Sequence, residues 1–380
     1  MTKADTRRPA ALSWLQALHQ PALALDWPLE EWQRVVRLAR RLRLLARLAE
    51  ALDEAGLLAL VPEAPRRHLI SEQRLSRMRT AAMCWTITRT AAMLGDTAYP
   101  CVLLKGAAYV GQGLTIARGR LPSDLDVMVP QAHIAAVQAR LIAAGWSETV
   151  LDAHDQRYYH EWSHEVPPMT HPLYQLELDL HHNILPPVAH APVNAHLLFA
   201  SLQPSRFAGW QVLSPVDQVL HSAAHLFFDS ELQDRIRDLV DLDGLFRHFG
   251  PNPGFWSCLI ARADQLGLGE PLALAGHFTV RWLATPVPAE VAAAMARAGP
   301  GPLQRAWLLP LLSQALMPTD PDDLPRARQR LAATVLLARY HWRRMPLRLL
   351  VPHLWHKVRS RPTPSTGEAT GDKTGSPAAP

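Results

Sequence analysis

Tyr174-Gln175-Leu176-Glu177-Leu178-Asp179-Leu180-His181-His182 alternates polar and apolar residues with a period of two, the period of a strand, and Asp124-Leu125-Asp126 sets two carboxylates one residue apart at the mouth of the apolar run Val127-Met128-Val129. Successive side chains on a strand point to opposite faces. Asp124 and Asp126 therefore share one face with Leu125 and Val127 opposite, and Glu177, Asp179 and His181 share one face with Leu176, Leu178 and Leu180 opposite. Carboxylates crowded on one face repel unless a cation neutralises them, and hard oxygen donors of this kind suit Mg²⁺, which takes one or two carboxylates together with substrate phosphates. Two plainer readings stay open. Pro122-Ser123-Asp124 is ordinary turn chemistry before a strand, and a strand with acids on one face also suits a solvated edge.

Upstream, the apolar run Val102-Leu103-Leu104 stops at Lys105-Gly106, and Ala107-Ala108 can continue as a helix. A glycine at a helix start lets backbone N–H groups approach a phosphate, and Lys105 adds positive charge if it faces the same way. An Arg-rich loop, Arg118-Gly119-Arg120, leads into Asp124.

In this order the three pieces, L-L-K-G-A-A, then R-x-x-S-D-L-D-V-x-V, then E-L-D-L-H-H, resemble the uncharacterised bacterial nucleotidyltransferases of the DNA polymerase beta superfamily, over about Trp32 to Pro288. The resemblance implies an α+β protein whose nucleotidyltransferase-type α/β core carries a mixed sheet and is flanked by helical regions. It also implies Asp124, Asp126 and Asp179 as metal ligands and catalytic residues. Glu177 is the rival for the third acid, and His181 a group able to orient a carboxylate or touch a phosphate. Lys105, Gly106, Arg118, Arg120 and Ser123 form the implied nucleotide-binding set. Two Mg²⁺ ions, with Mn²⁺ as substitute, would clamp the triphosphate. The substrate would be a nucleoside triphosphate, ATP being one candidate, and the acceptor an unidentified hydroxyl. One departure is plain: where the superfamily usually has Gly-Ser, this chain has Gly106-Ala107, so no serine hydroxyl meets the phosphate. A catalytically silent nucleotide-binding adaptor is the alternative.

The 380 residues, 48% of them apolar, are enough for a substantial core. We expect a helical region over 1–97, the α/β core over 98–187, a helical domain over 188–325, a basic amphipathic segment over 326–361 and a disordered tail over 362–380. Apolar residues from Trp32 to Leu52 recur at three and four and predict one helix ending near Gly56, its arginines forming a solvated stripe. A second helix is predicted over Glu72–Leu94, a third over 132–144, and only helices beyond Pro187. Asp238 and Asp241 are spaced to pair with Arg235 and Arg237.

Charge is uneven along the chain. Residues 326–361 hold ten Lys or Arg and no acid, against a net charge of +5 for the whole, so the remainder is slightly acidic. Aromatic and aliphatic residues interleave with these charges. The segment suits an anionic membrane surface or an acidic partner, or a helix pair folded back on the body; nothing near the core favours nucleic acid. The N-terminus lacks the apolar stretch of a signal peptide and no run reaches the ~20 residues of a membrane span, so a cytoplasmic protein is expected, with peripheral membrane contact open. Cys84, Cys101 and Cys258 are scattered, which argues against disulfides and zinc knuckles and for buried small hydrophobes. His154, His160, His164, His171, His181 and His182 crowd one region and invite zinc, but no H-E-x-x-H-like spacing supports it. His221 and His225, four apart on a predicted helix, lack a visible third ligand.

Overall fold

The computed structural model describes residues 10–149, 163–187, 192–228, 232–320 and 322–344. Three helices open the fold, α1 (Leu29–Arg41), α2 (Leu45–Glu54) and α3 (Glu63–Leu94), preceded by the short turns of 3₁₀ helix Ala10–Leu18 and Pro21–Asp26. A single helix from Trp32 to Gly56 is not what forms. Arg43 takes a left-handed conformation (φ 55°), and the Leu44 N–H donates to Ala39 O at 2.7 Å, closing α1 as left-handed C-terminal residues do. The reason lies in the leucines. In an unbroken helix Leu42, Leu44 and Leu45 would spread around the axis, whereas the break buries all three, each at most 1% exposed. Helix α3 starts nine residues earlier than expected, because Pro65 falls in its first turn, where a missing N–H costs nothing.

The sheet follows. Its strands are β1 (Val102–Leu103), β2 (Asp124–Met128), β3 (Ser147–Glu148), β4 (Met169–Thr170), β5 (Glu177–His181), β6 (Gln203–Pro204) and β7 (Gln211–Val212), arranged β3-β4-β5-β2-β1-β7-β6. It is mixed, as expected: β2 runs parallel to β5 and antiparallel to β1, and β7 lies parallel to β1. Helix α4 (Lys105–Gln112) connects β1 towards β2, and α5 (Ile134–Ala143) follows β2 and packs on β5, ended by Gly145 at φ 99°. The expectation of helix alone beyond Pro187 is corrected, since β6 and β7 return to the sheet and extend it past β1.

The remaining helices are α6 (Ala195–Phe199), before β6, and, after β7, α7 (Pro215–Phe227), α8 (Ile236–Phe249), α9 (Phe255–Gln265), α10 (Gly269–Leu283), α11 (Ala289–Ala298), α12 (Pro302–Leu316) and α13 (Ala327–Arg344). Helix α7 is the axis of this half, packed by α8, α9 and α10. It is tied to the sheet side by the Tyr109 hydroxyl, 2.7 Å from Ser222 Oγ. At its start Asp217, fully buried, is held by Arg262 (2.7 Å), Ser201 (2.9 Å) and Ser214 (2.8 Å). Helix α13 folds back on α12, and Arg339 and Arg343 both pair with Glu270 at the start of α10. The basic segment is thus partly built into the body; residues 345–361 lie outside the described residues. Among the described residues no helix is long and apolar enough to cross a membrane. All three cysteines are free, and only Cys101 is buried.

Candidate active site

The parallel pairing of β2 with β5 sets Asp126 opposite Asp179 and Asp124 opposite Glu177. Register and side-chain alternation together bring one oxygen each of Asp124, Asp126 and Asp179 within 4.8 Å of one another. Asp126 is buried (2% exposed), while Asp124 and Asp179 are half-buried. Glu177 shares their face but is exposed at the strand start and stays out of this group.

Lys105 opens α4 with φ 43°, a left-handed conformation that a lysine adopts only when its surroundings enforce it. Here the side chain is carried onto Asp126, Nζ to Oδ1 2.7 Å. His181 reaches the same oxygen, Nε2 to Oδ1 3.1 Å. Burial works to raise the Asp126 carboxyl, but the Lys105 ammonium and the His181 hydrogen bond hold it well below the usual carboxylate range. Burial opposes charge on Lys105 too, and Asp126 and Asp124 overcome it and raise its pKa. Among the described residues Asp179 has no such cation in contact. Burial, with the Asp126 charge beside it, pushes it up to about 7. Of three carboxylates on one face, one therefore stays protonated near neutrality unless a cation joins them. That is the behaviour of a hard-oxygen donor set suited to a divalent metal.

The rest of the expected nucleotide set is divided. Gly106 lies beside Lys105, and a methyl group built there would come within 2.0 Å of Arg120 Nη1, so the glycine leaves room for that guanidinium. Arg120 is buried and donates to Asp241 Oδ2 at 3.0 Å. Ser123 Oγ is 3.3 Å from Asp124 Oδ1. Arg118 turns outward to Glu54, Nη1 to Oε1 2.7 Å, away from the acids.

Other arginines approach instead. Burial pushes Arg43 down, and Arg237, Arg79 and Arg120 are near enough to press it further while Asp124 pulls it up. Arg79 donates to Pro122 O at 3.2 Å, on the turn before Asp124, and Arg237 has a buried Nη1 without a hydrogen-bond partner. Sequence periodicity assigned Arg43 to a solvated stripe. Nothing in it signals that the break after α1 re-aims this side chain.

Asp241 also departs from expectation. Its partners are Arg47 (2.9 Å) and Arg120 (3.0 Å), and Arg237 turns to Asp238 at 3.4 Å. Asp238 also pairs with Arg235, as its spacing suggested. Asp241 thus fastens α8 to α2 and to the loop before β2.

On the other side of Lys105 is a cavity of about 180 Å³. Lys105, Glu165 and His181 line its acidic end, His221 and His225 its helical wall, and Phe227 is among its apolar residues. Burial drives His221 down to about 3 and His225 well below the usual imidazole value, so both are neutral. The histidine-rich region resolves unevenly. His171 packs at a tilt against Trp146 and Tyr174, His182 Nε2 lies 3.2 Å from Ser163 O, and His164 comes together with His181 and Glu165. His154 and His160 lie outside the described residues.

A mixed sheet with a lysine-started helix against paired acidic strands is a nucleotidyltransferase-type core. The chain belongs to the family described as uncharacterised nucleotidyltransferase, whose model matches residues 28–284. It is accordingly a transferase of nucleotidyl groups, with its acceptor unspecified. No curated protein and no solved structure gives a significant match.

Proposed function

We propose that this protein transfers a nucleoside monophosphate from a nucleoside triphosphate, ATP being one candidate, to a hydroxyl-bearing acceptor, with Asp124, Asp126 and Asp179 holding Mg²⁺ or Mn²⁺. The observation that carries this is the convergence of these three carboxylates across β2 and β5 beside Lys105. Two such ions, when bound, supply Lewis-acid stabilisation of the attacking and leaving oxygens. The chain's own residues do the rest. Arg43, Arg79 and Arg237 offer guanidinium groups near Asp124 for the triphosphate, Arg237 through its unpartnered Nη1. The α4 N-terminus at Gly106 adds backbone N–H groups. Asp179 takes the proton of the attacking hydroxyl, a role that its raised pKa supports. Exposed Arg326, Arg328, Arg330, Leu331 and Trp342 support contact of 326–361 with an anionic membrane surface or an acidic partner.

Thermal stability with each nucleoside triphosphate, with and without Mg²⁺, tests the reading. At a hundred times Kd a ligand adds about 2.7 kcal/mol to the native state. The wild type should gain a clear rise in Tm only with nucleotide and Mg²⁺ together, and an Asp124→Ala/Asp126→Ala variant none. Equal shifts in both proteins, or none in either, would sink the proposal.

The pH dependence has a definite sign. Asp179 titrates near 7 in the fold against ~3.9 for a free aspartate, so the metal-free protein keeps this proton up to neutrality. In the metal-free state this group's penalty on folding is absent below ~3.9 and grows as pH rises towards 7. Mg²⁺ must displace the proton, so its affinity should rise about tenfold per unit from pH 5.5 to 7 and level off above. Calorimetry in two buffers of different ionisation enthalpy should show close to one proton released at pH 6. A flat profile over this range would contradict the assignment of Asp179 as a ligand.

A further inference from the structure

Beside the three carboxylates lies a second convergence of donors that the proposed reaction leaves unused. Residues 164–166 run along the end of β5: Glu165 bridges His181, the His182 N–H donates to His164 O at 2.8 Å, and the Val166 N–H donates to Leu180 O at 2.9 Å. This backbone pairing brings one donor atom each of His164, Glu165 and His181 within 4.8 Å of one another. Glu165 Oε2 is 3.3 Å from His181 Nδ1 and 4.0 Å from His164 Nε2. Nitrogen and oxygen ligands at ~2.0–2.2 Å from a tetrahedral zinc stand roughly 3.4 Å apart, so these atoms need little adjustment to close on one ion.

The buried Nδ1 of His181 supplies an independent observation. Asp126 is ionised and can only accept, so His181 Nε2, 3.1 Å from it, carries the proton. The His181 side chain is 3% exposed, Nδ1 makes no hydrogen bond, and the Glu165 carboxylate lies 3.3 Å from it. A buried ring nitrogen left without a hydrogen-bond partner and the carboxylate beside it are a pair that one cation can bridge. A metal-bound histidine commonly gives its other N–H to a carboxylate, as His181 does to Asp126.

The geometry points to a binding site for a zinc-class divalent transition metal on His164, Glu165 and His181, with its remaining coordination position open to the cavity that His221 and His225 line. Two imidazoles and a carboxylate select this class over Mg²⁺, and three protein ligands with an open position are the pattern of a zinc that also takes water or a substrate oxygen. The site does not rest on the nucleotide reading. It meets the three-carboxylate group at the His181–Asp126 hydrogen bond.

Co²⁺ titration of the full-length, chelator-treated protein tests the site, read by visible absorption and competed with Zn²⁺. The wild type should take up one Co²⁺ with the intense d–d bands of four- or five-fold coordination, displaced by an equivalent of Zn²⁺. Removing a ligand should weaken binding at least as much as the tenfold to hundredfold typical of second-shell losses. His164→Ala and Glu165→Gln should therefore lose these bands while the metal-free Tm stays within a few degrees. Asp124→Asn, which weakens the neighbouring carboxylate group, should keep them. Glu165→Gln is nearly isosteric and carries the test if His164→Ala does not fold. The proposal is overturned if no intense bands appear, as when His181 is an imidazolium shared by Asp126 and Glu165. It is equally overturned if the bands survive Glu165→Gln or disappear with Asp124→Asn.

Discussion

Asp126→Asn is expected to slow nucleotidyl transfer by about a thousandfold or more, the largest effect of any single substitution on the reaction. Asp126 is the one acid of the three that is both buried and ionised, and it accepts from Lys105 and His181 through a single oxygen. Asparagine keeps the shape and one acceptor oxygen but removes the charge. Loss of a ligand that helps neutralise developing phosphate charge costs several kcal/mol of transition-state stabilisation, and about 4 kcal/mol is a thousandfold in rate. Lys105, only 17% exposed, would also lose its charged partner. The measurement is metal-dependent pyrophosphate release from nucleoside triphosphate with water as the default acceptor, alongside Tm for the same protein. A rate within tenfold of wild type in a folded variant would remove Asp126 from the chemistry.

The acids could be read from sequence because alternation is a local property. Once β2 and β5 were strands, Asp124 and Asp126 had to share a face, as had Glu177, Asp179 and His181; only the pairing that puts Asp126 opposite Asp179 came from the structure. Strands β4, β6 and β7, two residues each, are too short to show a period, and the sheet therefore looked smaller than it is. The turn at Arg43 was hidden for a different reason. Helical periodicity on both sides of it is good, and only the need to bury Leu42, Leu44 and Leu45 together breaks the helix. Glu165 carries no pattern in Trp162-Ser163-His164-Glu165-Val166; it gains significance by pairing with His181, sixteen positions along. Arg120, next to the loop glycine Gly119 and four residues from Asp124, reads as a phosphate ligand by proximity in sequence. Its partner is 121 residues away in α8, a distance at which a single sequence offers no signal.

That distant partner makes Asp241→Ala the substitution with the largest expected effect on stability. Asp241 is 4% exposed and accepts from two guanidinium groups, Arg47 on one oxygen and Arg120 on the other, whose side chains are 13% and 10% exposed. Burial pushes Arg47 down even against the pull of Asp241, whereas Asp241 is the main influence that raises Arg120. Both cations thus depend on one carboxylate. Breaking a buried pair by removing one partner costs about 3–5 kcal/mol, because a desolvated charge is left behind, and here two are left. Tm should fall by roughly 5–15 °C. Asp241→Asn, which keeps an acceptor without the charge, should fall in between. The exposed Arg118–Glu54 pair is the internal control: Arg118→Ala should change stability by less than about 1 kcal/mol. The double variant Asp241→Ala/Arg120→Met should recover part of the loss, since Arg47 retains the Ile116 carbonyl at 2.6 Å and the second uncompensated charge is gone. If Asp241→Ala behaves like Arg118→Ala, the network is an incidental contact. If it is as destabilising as expected, the same carboxylate that fastens α8 to α2 also keeps Arg120 folded over Gly106, and the start of α4 beside the three acids depends on a residue outside the sheet.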